Sequence, residues 1–322
     1  MRVAGRRVCE AVRMELRRVA PVIGLVLLLA ADLVLIGWAF RPAPADDYVP
    51  AAAATSSSAG STPKPSPTAT GKFTPPKPAP IEQYITAVGP TIAWVAQAGS
   101  CANPDGVWVT DDRGTTWTRN ALPGRTLRLL AESSTKAQAV GADDNAKCAL
   151  RLWQTIDTGG DWGKGGDASK AWTRDPNDPQ VVHTANDVHV RPCGGRDVID
   201  LSVLDGKRAS VLCANGDVRG TTDGGQGWPK SFNAKGALAL SVAEGGSGVV
   251  VRADAGCRGV VAVPISSGQP AKDGQCVLAT PIQGRVSVSN ATDGWWLLAG
   301  GQVFTADEPI GPWNPTPRRA SG

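Results

Sequence analysis

Histidine, methionine and tyrosine occur twice each in the 322 residues, phenylalanine four times, and no C-x-x-C pair is present. So few histidines and so few paired thiols leave nothing from which to build a zinc site. The shortage of Phe and Met, beside 38 Gly and 11 Trp, argues against a helical bundle and for many turns between short strands. Excess charge is missing as well. Six of the 33 basic residues and two of the 29 acidic ones fall in the first 18 positions, so the rest of the chain carries 27 of each. A balanced globular part lacks the basic footprint that phosphate neutralisation requires, and nucleic-acid partners are not expected. There is no H-E-x-x-H, no phosphate-cradling glycine loop and no Ser-His-Asp pattern.

What is present begins with an apolar run. Residues 19–40 (VAPVIGLVLLLAADLVLIGWAF) number 22 with one charge, Asp32. As a helix they span about 33 Å, enough for a hydrocarbon core of ~30 Å. Arg2, Arg6, Arg7, Arg13, Arg17 and Arg18 precede the run and Arg41 alone follows closely, so the positive-inside rule places residues 1–18 in the cytoplasm and everything after the run outside. Ala43-Pro44-Ala45 has the form of a signal-peptidase site, yet signal cores of ~7–15 residues are shorter than this run, which favours a retained single-pass membrane anchor. No Cys follows the run to support lipid anchoring. A charge at mid-membrane is costly, so Asp32 invites a contact with a partner helix.

Residues 41–80 hold ten of the 25 prolines among Ser, Thr and Ala. Such a composition buries too little apolar surface to repay ordering and is expected to stay extended, reaching up to about 100 Å from the bilayer. Residues 81–317 follow as one domain, and 318–322 as a short tail.

Within 81–317 a segment repeats. Thr110, Asp112, Gly114 and Trp117 recur as Thr155, Asp157, Gly159 and Trp162 and as Thr221, Asp223, Gly225 and Trp228; Thr305, Asp307 and Trp313 form a degenerate fourth copy. Each copy follows an alternating run such as GVWVT or LRLWQT, the period-2 mark of a half-buried strand. The pattern has a physical reason: Asp accepts N–H bonds within its own turn, Gly supplies a positive φ, and Trp anchors the next strand.

This repeat resembles the Asp-box, or BNR repeat, of sialidase-like β-propellers, and most of all the photosystem II assembly-factor-like and exo-sialidase-like repeat propellers. The resemblance implies four-stranded blades with the boxes between third and fourth strands, away from the ligand face, so these Asp and Trp residues are structural. Successive Asp positions lie 45, 66 and 84 residues apart. With about 40–45 residues per blade, the longest gap holds a blade without a box, its turn at residues 264–268, and the 66-residue gap holds roughly 171–194 as an insertion or a worn half-blade. The expectation is an all-β propeller of five or six blades, with first strands at ITAV, LRLLAE, VIDLSV, ALALSV and RVSVS.

Cys101, Cys148 and Cys213 stand 11, 9 and 10 residues ahead of their Asp, near loops joining second to third strands, and Cys257 is placed alike. Six cysteines outside the membrane imply three bridges. Adjacent loops suggest Cys101–Cys148 and Cys213–Cys257, leaving Cys193 with Cys276; the local pairs Cys193–Cys213 and Cys257–Cys276 are the competing arrangement.

The sialidase likeness implies a Tyr nucleophile with a Glu and three substrate-binding Arg. Tyr84 is the one Tyr beyond the linker, and no arginine motif precedes the first box. Glu132, Asp205 and Glu244 recur in turns between first and second strands, where turn chemistry accounts for them. His183 and His189 are expected exposed on the insertion. One face remains for a ligand, built from the second-to-third-strand loops and carrying Asp105, Asp143, Asp144, Asp217, Asp254 and Arg258. No cofactor or metal is expected. The expected role is a membrane-anchored, extracytoplasmic, non-catalytic module binding an envelope protein or glycan; the alternative is a sialidase-like or other glycoside hydrolase.

Overall fold

The computed structural model describes residues 73–143, 147–186 and 189–317; the basic tail, the apolar run 19–40 and most of the Pro-rich stretch lie outside them. Among the described residues there is no α-helix, and no helix long and apolar enough to cross a membrane.

Six antiparallel sheets follow one another. The first contains β1 (Gln83–Ala87), β2 (Ala93–Gln97), β3 (Gly106–Thr110) and β4 (Thr118–Ala121), and the second β5 (Arg125–Ala131), β6 (Ala137–Ala142), β7 (Leu150–Thr155) and β8 (Gly163–Lys164). The third has only β9 (Thr173–Arg174), β10 (Val182–His183) and β11 (His189–Val190). Next come β12 (Val198–Val203), β13 (Ala209–Cys213), β14 (Asp217–Thr221) and β15 (Lys230–Asn233). The fifth is β16 (Ala237–Val242), β17 (Gly248–Asp254) and β18 (Gly259–Ser266), with β19 (Gln269–Pro270) and β20 (Gln275–Val277) both paired to β18. β21 (Val286–Ala291), β22 (Gly294–Ala299), β23 (Gln302–Ala306) and β24 (Asn314–Pro315) complete the ring. The chain is a six-bladed β-propeller. All five expected first strands lie innermost, because their alternating apolar residues pack blade against blade.

The 171–194 stretch is therefore a blade, not an insertion. It is worn at its inner side. Arg125 donates to the Pro176 carbonyl and the Val198 N–H to that of Pro179, so β9 ends where β5 and β12 begin and runs opposite to them. The usual first strand is missing, and β9 stands in its place at the axis. The 184–186 turn then falls where other blades carry the Thr-x-Asp turn, and the Asn186 N–H bonds to Thr184 Oγ1 as its counterparts do.

The repeated turns are nearly superposable in their bonding. Thr110 Oγ1 donates to Asp112 Oδ1 at 2.8 Å and accepts the Gly114 N–H at 2.9 Å; the Thr155 and Thr221 turns match at 2.7 and 3.1 Å and at 2.7 and 3.0 Å. Each Asp also accepts the N–H four residues on, from Thr116, Asp161 and Gly227. Glycine is needed at Gly225, where φ is +95° and a Cβ would lie 2.5 Å from a Thr184 methyl. In the fourth copy the Asp is diverted: Asp307 takes the Arg113 guanidinium of the first blade. The blade without the motif turns tightly at Ser267-Gly268, both at positive φ, and 264–266 belong to the strand.

Apolar layers fill five of the six junctions. Trp94, Val107 and Leu129 join the first blade to the second, Val182 and Val211 the third to the fourth, Leu212 and Val250 the fourth to the fifth, Val249 and Leu297 the fifth to the sixth, and Val95 and Trp296 close the ring. Trp295 and Trp296 are both buried, one in each of two layers. Among the described residues, the junction of the second and third blades has no such layer.

Three disulfides staple the frame: Cys101–Cys148, Cys193–Cys213 and Cys257–Cys276. The inter-blade pair agrees with the loop argument. The Cys213–Cys257 and Cys193–Cys276 pairs do not form, because Cys193 lies in the connection feeding β12, beside β13, and Cys276 lies on β20, which pairs β18 just past Cys257. The local arrangement is the one adopted.

Candidate functional site

The second-to-third-strand turns and the blade-to-blade connections share one end of the propeller, the loop end. The loop acids predicted as a ligand face sit there on four different blades and do not converge. Asp105 accepts the Gly106 N–H at 2.8 Å and faces Arg119 at 3.8 Å. Asp143 pairs with Arg151 at 3.6 Å. Asp217 holds Lys230 at 2.6 Å and Asn233 at 2.8 Å, the lysine first among the bonds that keep its carboxyl far below the ordinary range. Asp254 accepts two N–H groups of its own turn, and Arg258 is exposed at φ 56°. Asp144 lies outside the described residues. Glu132, Asp205 and Glu244 occupy turns at the opposite end, as expected; Asp205 is held at about 2 by Lys207 and Arg208.

Two concave places were not legible as such in the sequence. The first is the axis. The chain leading into β1 crosses it: the Ile81 N–H donates to the Ile199 carbonyl of the fourth blade at 3.0 Å. Tyr84 Oη donates back to the Ile81 carbonyl at 2.7 Å. Arg174, from the displaced β9, bonds to both Tyr84 and that carbonyl. Arg128 reaches the Trp172 carbonyl at 3.1 Å, and burial lowers its guanidinium to about 10. Asp200 accepts the Leu201 and Leu240 N–H groups, each at 2.7 Å. Burial nevertheless pushes this carboxyl up to about 6, against those bonds and the Arg174 charge. Tyr84 is likewise raised by burial, with Arg174 opposing. This plug separates a cavity of about 410 Å³ at the loop end, lined by Pro80, Glu82, Arg125 and Gln283, from one of about 400 Å³ at the other end, ringed by Thr86, Ser202, Ser241 and Ser289.

The second place is the junction without an apolar layer. A cleft of about 970 Å³ lies there, between Leu150, Leu152, Lys164 and Asp167 on one wall and Asp175, Asn177, His183 and His189 on the other. The short strands of the worn blade do not reach across to β7, which is why the gap stays open. His183 is buried, contrary to the expectation of an exposed insertion: its Nε2 meets Asp175 Oδ2 at 2.7 Å, and the exposed His189 ring lies 4.0 Å away. Burial works to raise Asp175, but the His183 bond and the Asn177 and Asp178 N–H groups outweigh it and hold the carboxyl low. Among the described residues no cluster of three His, Cys, Asp or Glu side chains is placed to hold a metal ion.

No family model and no curated protein matches the chain. Solved structures give loose overlays. YCF48 bound to D1 peptide is 16% identical over 79% of this chain and 74% of its own, with a TM-score of 0.30. YCF48 from Cyanidioschyzon merolae is 14% identical over 72% and 71%, at 0.27. The Niastella koreensis GH74 enzyme is 14% identical over 71% of this chain at 0.39, and the match spans only 46% of that enzyme's length.

Proposed function

We propose that the protein is a non-catalytic binding or scaffolding propeller, held outside the cell membrane by residues 19–40 and a Pro-rich stalk, with Thr-x-Asp turns of the Asp-box type. The observation that carries this reading is the plug. Glycoside hydrolysis needs two carboxyl groups flanking the bond to be cut; here the chain's own Ile81 and Tyr84, locked by Arg174, occupy the axis. Asp200 is the carboxyl beneath the plug, and it is committed to two backbone N–H groups. Glu244, at the mouth beyond it, is mostly exposed and bonded to Arg208 at 2.9 Å.

The partner, an envelope protein or glycan, engages the loop end where the 970 Å³ cleft opens, at the upper end of the ~300–1,000 Å³ typical of ligand sites. The cleft has more than twice the volume of either axial cavity, and polar groups on both walls suit a hydrogen-bonding partner. The test is affinity capture of envelope proteins and wall glycans on the detergent-solubilised chain, compared with an Asn177→Leu, His189→Leu variant. Loss of one specific partner in the variant is the expected result. Equal capture by both proteins removes the cleft as the site.

A further inference from the structure

The loop end is unevenly charged. Most of its carboxylates are taken up by Arg119, Arg151, Lys230, Arg191 and backbone N–H groups; Glu82, exposed at the axial mouth, pairs with none of these cations. Among the described residues, four exposed cations over the fourth to sixth blades make no ion pair, Arg196 before β12, Lys235 between β15 and β16, Arg258 in the β17–β18 turn and Arg285 before β21, while the second blade contributes one more, Lys147 in the β6–β7 turn. Asp197, next to Arg196, makes no ion pair with any of them. Antiparallel order puts the first four at the loop end, over the fourth to sixth blades. Among the described residues, two of the four large hydrophobic side chains left exposed stand in the same sector, Leu278 at 79% and Ile282 at 43%. The connection that carries them flanks the axial mouth, since the Gly284 carbonyl accepts the Glu82 and Gln83 N–H groups. Ala79 and Pro80 line that mouth, so the chain upstream of the propeller arrives at this end.

We propose that this sector is a membrane-surface contact, laying Leu278 and Ile282 into the headgroup region of an anionic bilayer while the four cations meet lipid phosphates. Unpaired cations around protruding apolar side chains are the composition of an interfacial lipid contact. A soluble polyanion would use the cations and leave the two apolar residues idle. The proposal rests on the tether reading only for its biological setting. It leaves the cleft between the second and third blades free for the partner.

The test uses residues 69–322, a compact unit that contains all six sheets and three disulfides but not the apolar run, so it fails or succeeds apart from the anchor. Co-sedimentation is measured with phosphatidylcholine vesicles with and without phosphatidylglycerol, at low and high salt. Salt-sensitive binding to the anionic vesicles alone is expected. Arg258→Glu with Arg285→Glu weakens it at least tenfold, each lost cation costing roughly fivefold; Leu278→Ser with Ile282→Ser weakens it several-fold; Lys136→Glu with Lys207→Glu, at the far end, leaves it unchanged. Circular dichroism of each variant establishes that it is folded. Absence of vesicle binding, or loss in the far-end variant equal to that in the sector variant, overturns the proposal. Binding to soluble polyphosphate as tight as to vesicles, with the Leu278/Ile282 variant unaffected, assigns the sector to a polyanion instead.

Discussion

Replacing Asp200 by Asn probes the plug at its most strained electrostatic point. Folding raises this carboxyl from 3.8 to about 6, so between those values the folded state keeps a proton that the unfolded state has released. Stability from this group is therefore greatest below about pH 4, falls as pH rises, and is lowest above about pH 6. Two pH units correspond to about 3 kcal/mol; the residue retains some access to the axial cavity, and screening there sets the expected range at about 1–3 kcal/mol. Asparagine cannot titrate, and its carbonyl can still accept the N–H of Leu240. Urea unfolding of both proteins at about pH 4 and about pH 7 isolates the effect, because the exposed carboxylates of the turns, such as Asp112 held at about 2 chiefly by its bonds from Thr116, titrate alike in both. The stability of D200N relative to wild type should rise by about 1–3 kcal/mol from the acid to the neutral condition. A difference that stays flat across that range refutes the claim that the axis is desolvated around Asp200.

Other outcomes follow from the same geometry. Arg174→Met removes the guanidinium bonds to the Ile81 carbonyl and the Tyr84 oxygen but leaves the Tyr84 hydroxyl donating to that carbonyl, and should lower stability by about 1.5–3 kcal/mol in urea unfolding. Thr221→Val removes the hydroxyl that bridges Asp223 and the Gly225 N–H and should cost about 1–3 kcal/mol, whereas Thr305→Val should cost less, since Asp307 is already turned toward Arg113; paired thermal melts decide this. Serine at both Cys101 and Cys148 opens a 47-residue separation and should cost about 4 kcal/mol, against about 3 kcal/mol for the 20-residue Cys193–Cys213 pair. Peptide mapping of the oxidised protein should recover these pairings and no Cys193–Cys276 peptide.

The blades were legible because their signals are local. GVWVT before Thr110-Asp111-Asp112 declares a strand and its turn within eight residues, and each repeat states it again. The third blade stayed open between an insertion and a worn half-blade because its strands are two residues long, too short for any period to show, and because TAND at 184–187 keeps only the Thr and a side-chain amide of the turn. Local spacing also left the disulfides open, since β20 folds back along β18 in a way that nothing in GQCVLA announces. The axial cluster was the hardest to foresee. Asp200 in VIDLSV and Arg128 in RTLRLLAE are charges set in apolar first strands, a signal that was readable in principle. That Tyr84 and Arg174 meet them depends on a reversed strand. The described loop acids lie apart for the opposite reason: Asp254 is satisfied inside its own turn, and Asp105, Asp143 and Asp217 each meet a basic side chain of their own blade.

The central claim is that the axis is closed by the chain itself and that the propeller binds without cleaving. Incubating the detergent-solubilised full chain with isolated envelope glycans, while following both retention on the protein and release of new reducing ends, tests it directly. Retention of a partner with no new reducing ends is the expected result. Release of reducing ends that Asp200→Asn abolishes would contradict the account and make the axial carboxyl a catalytic acid.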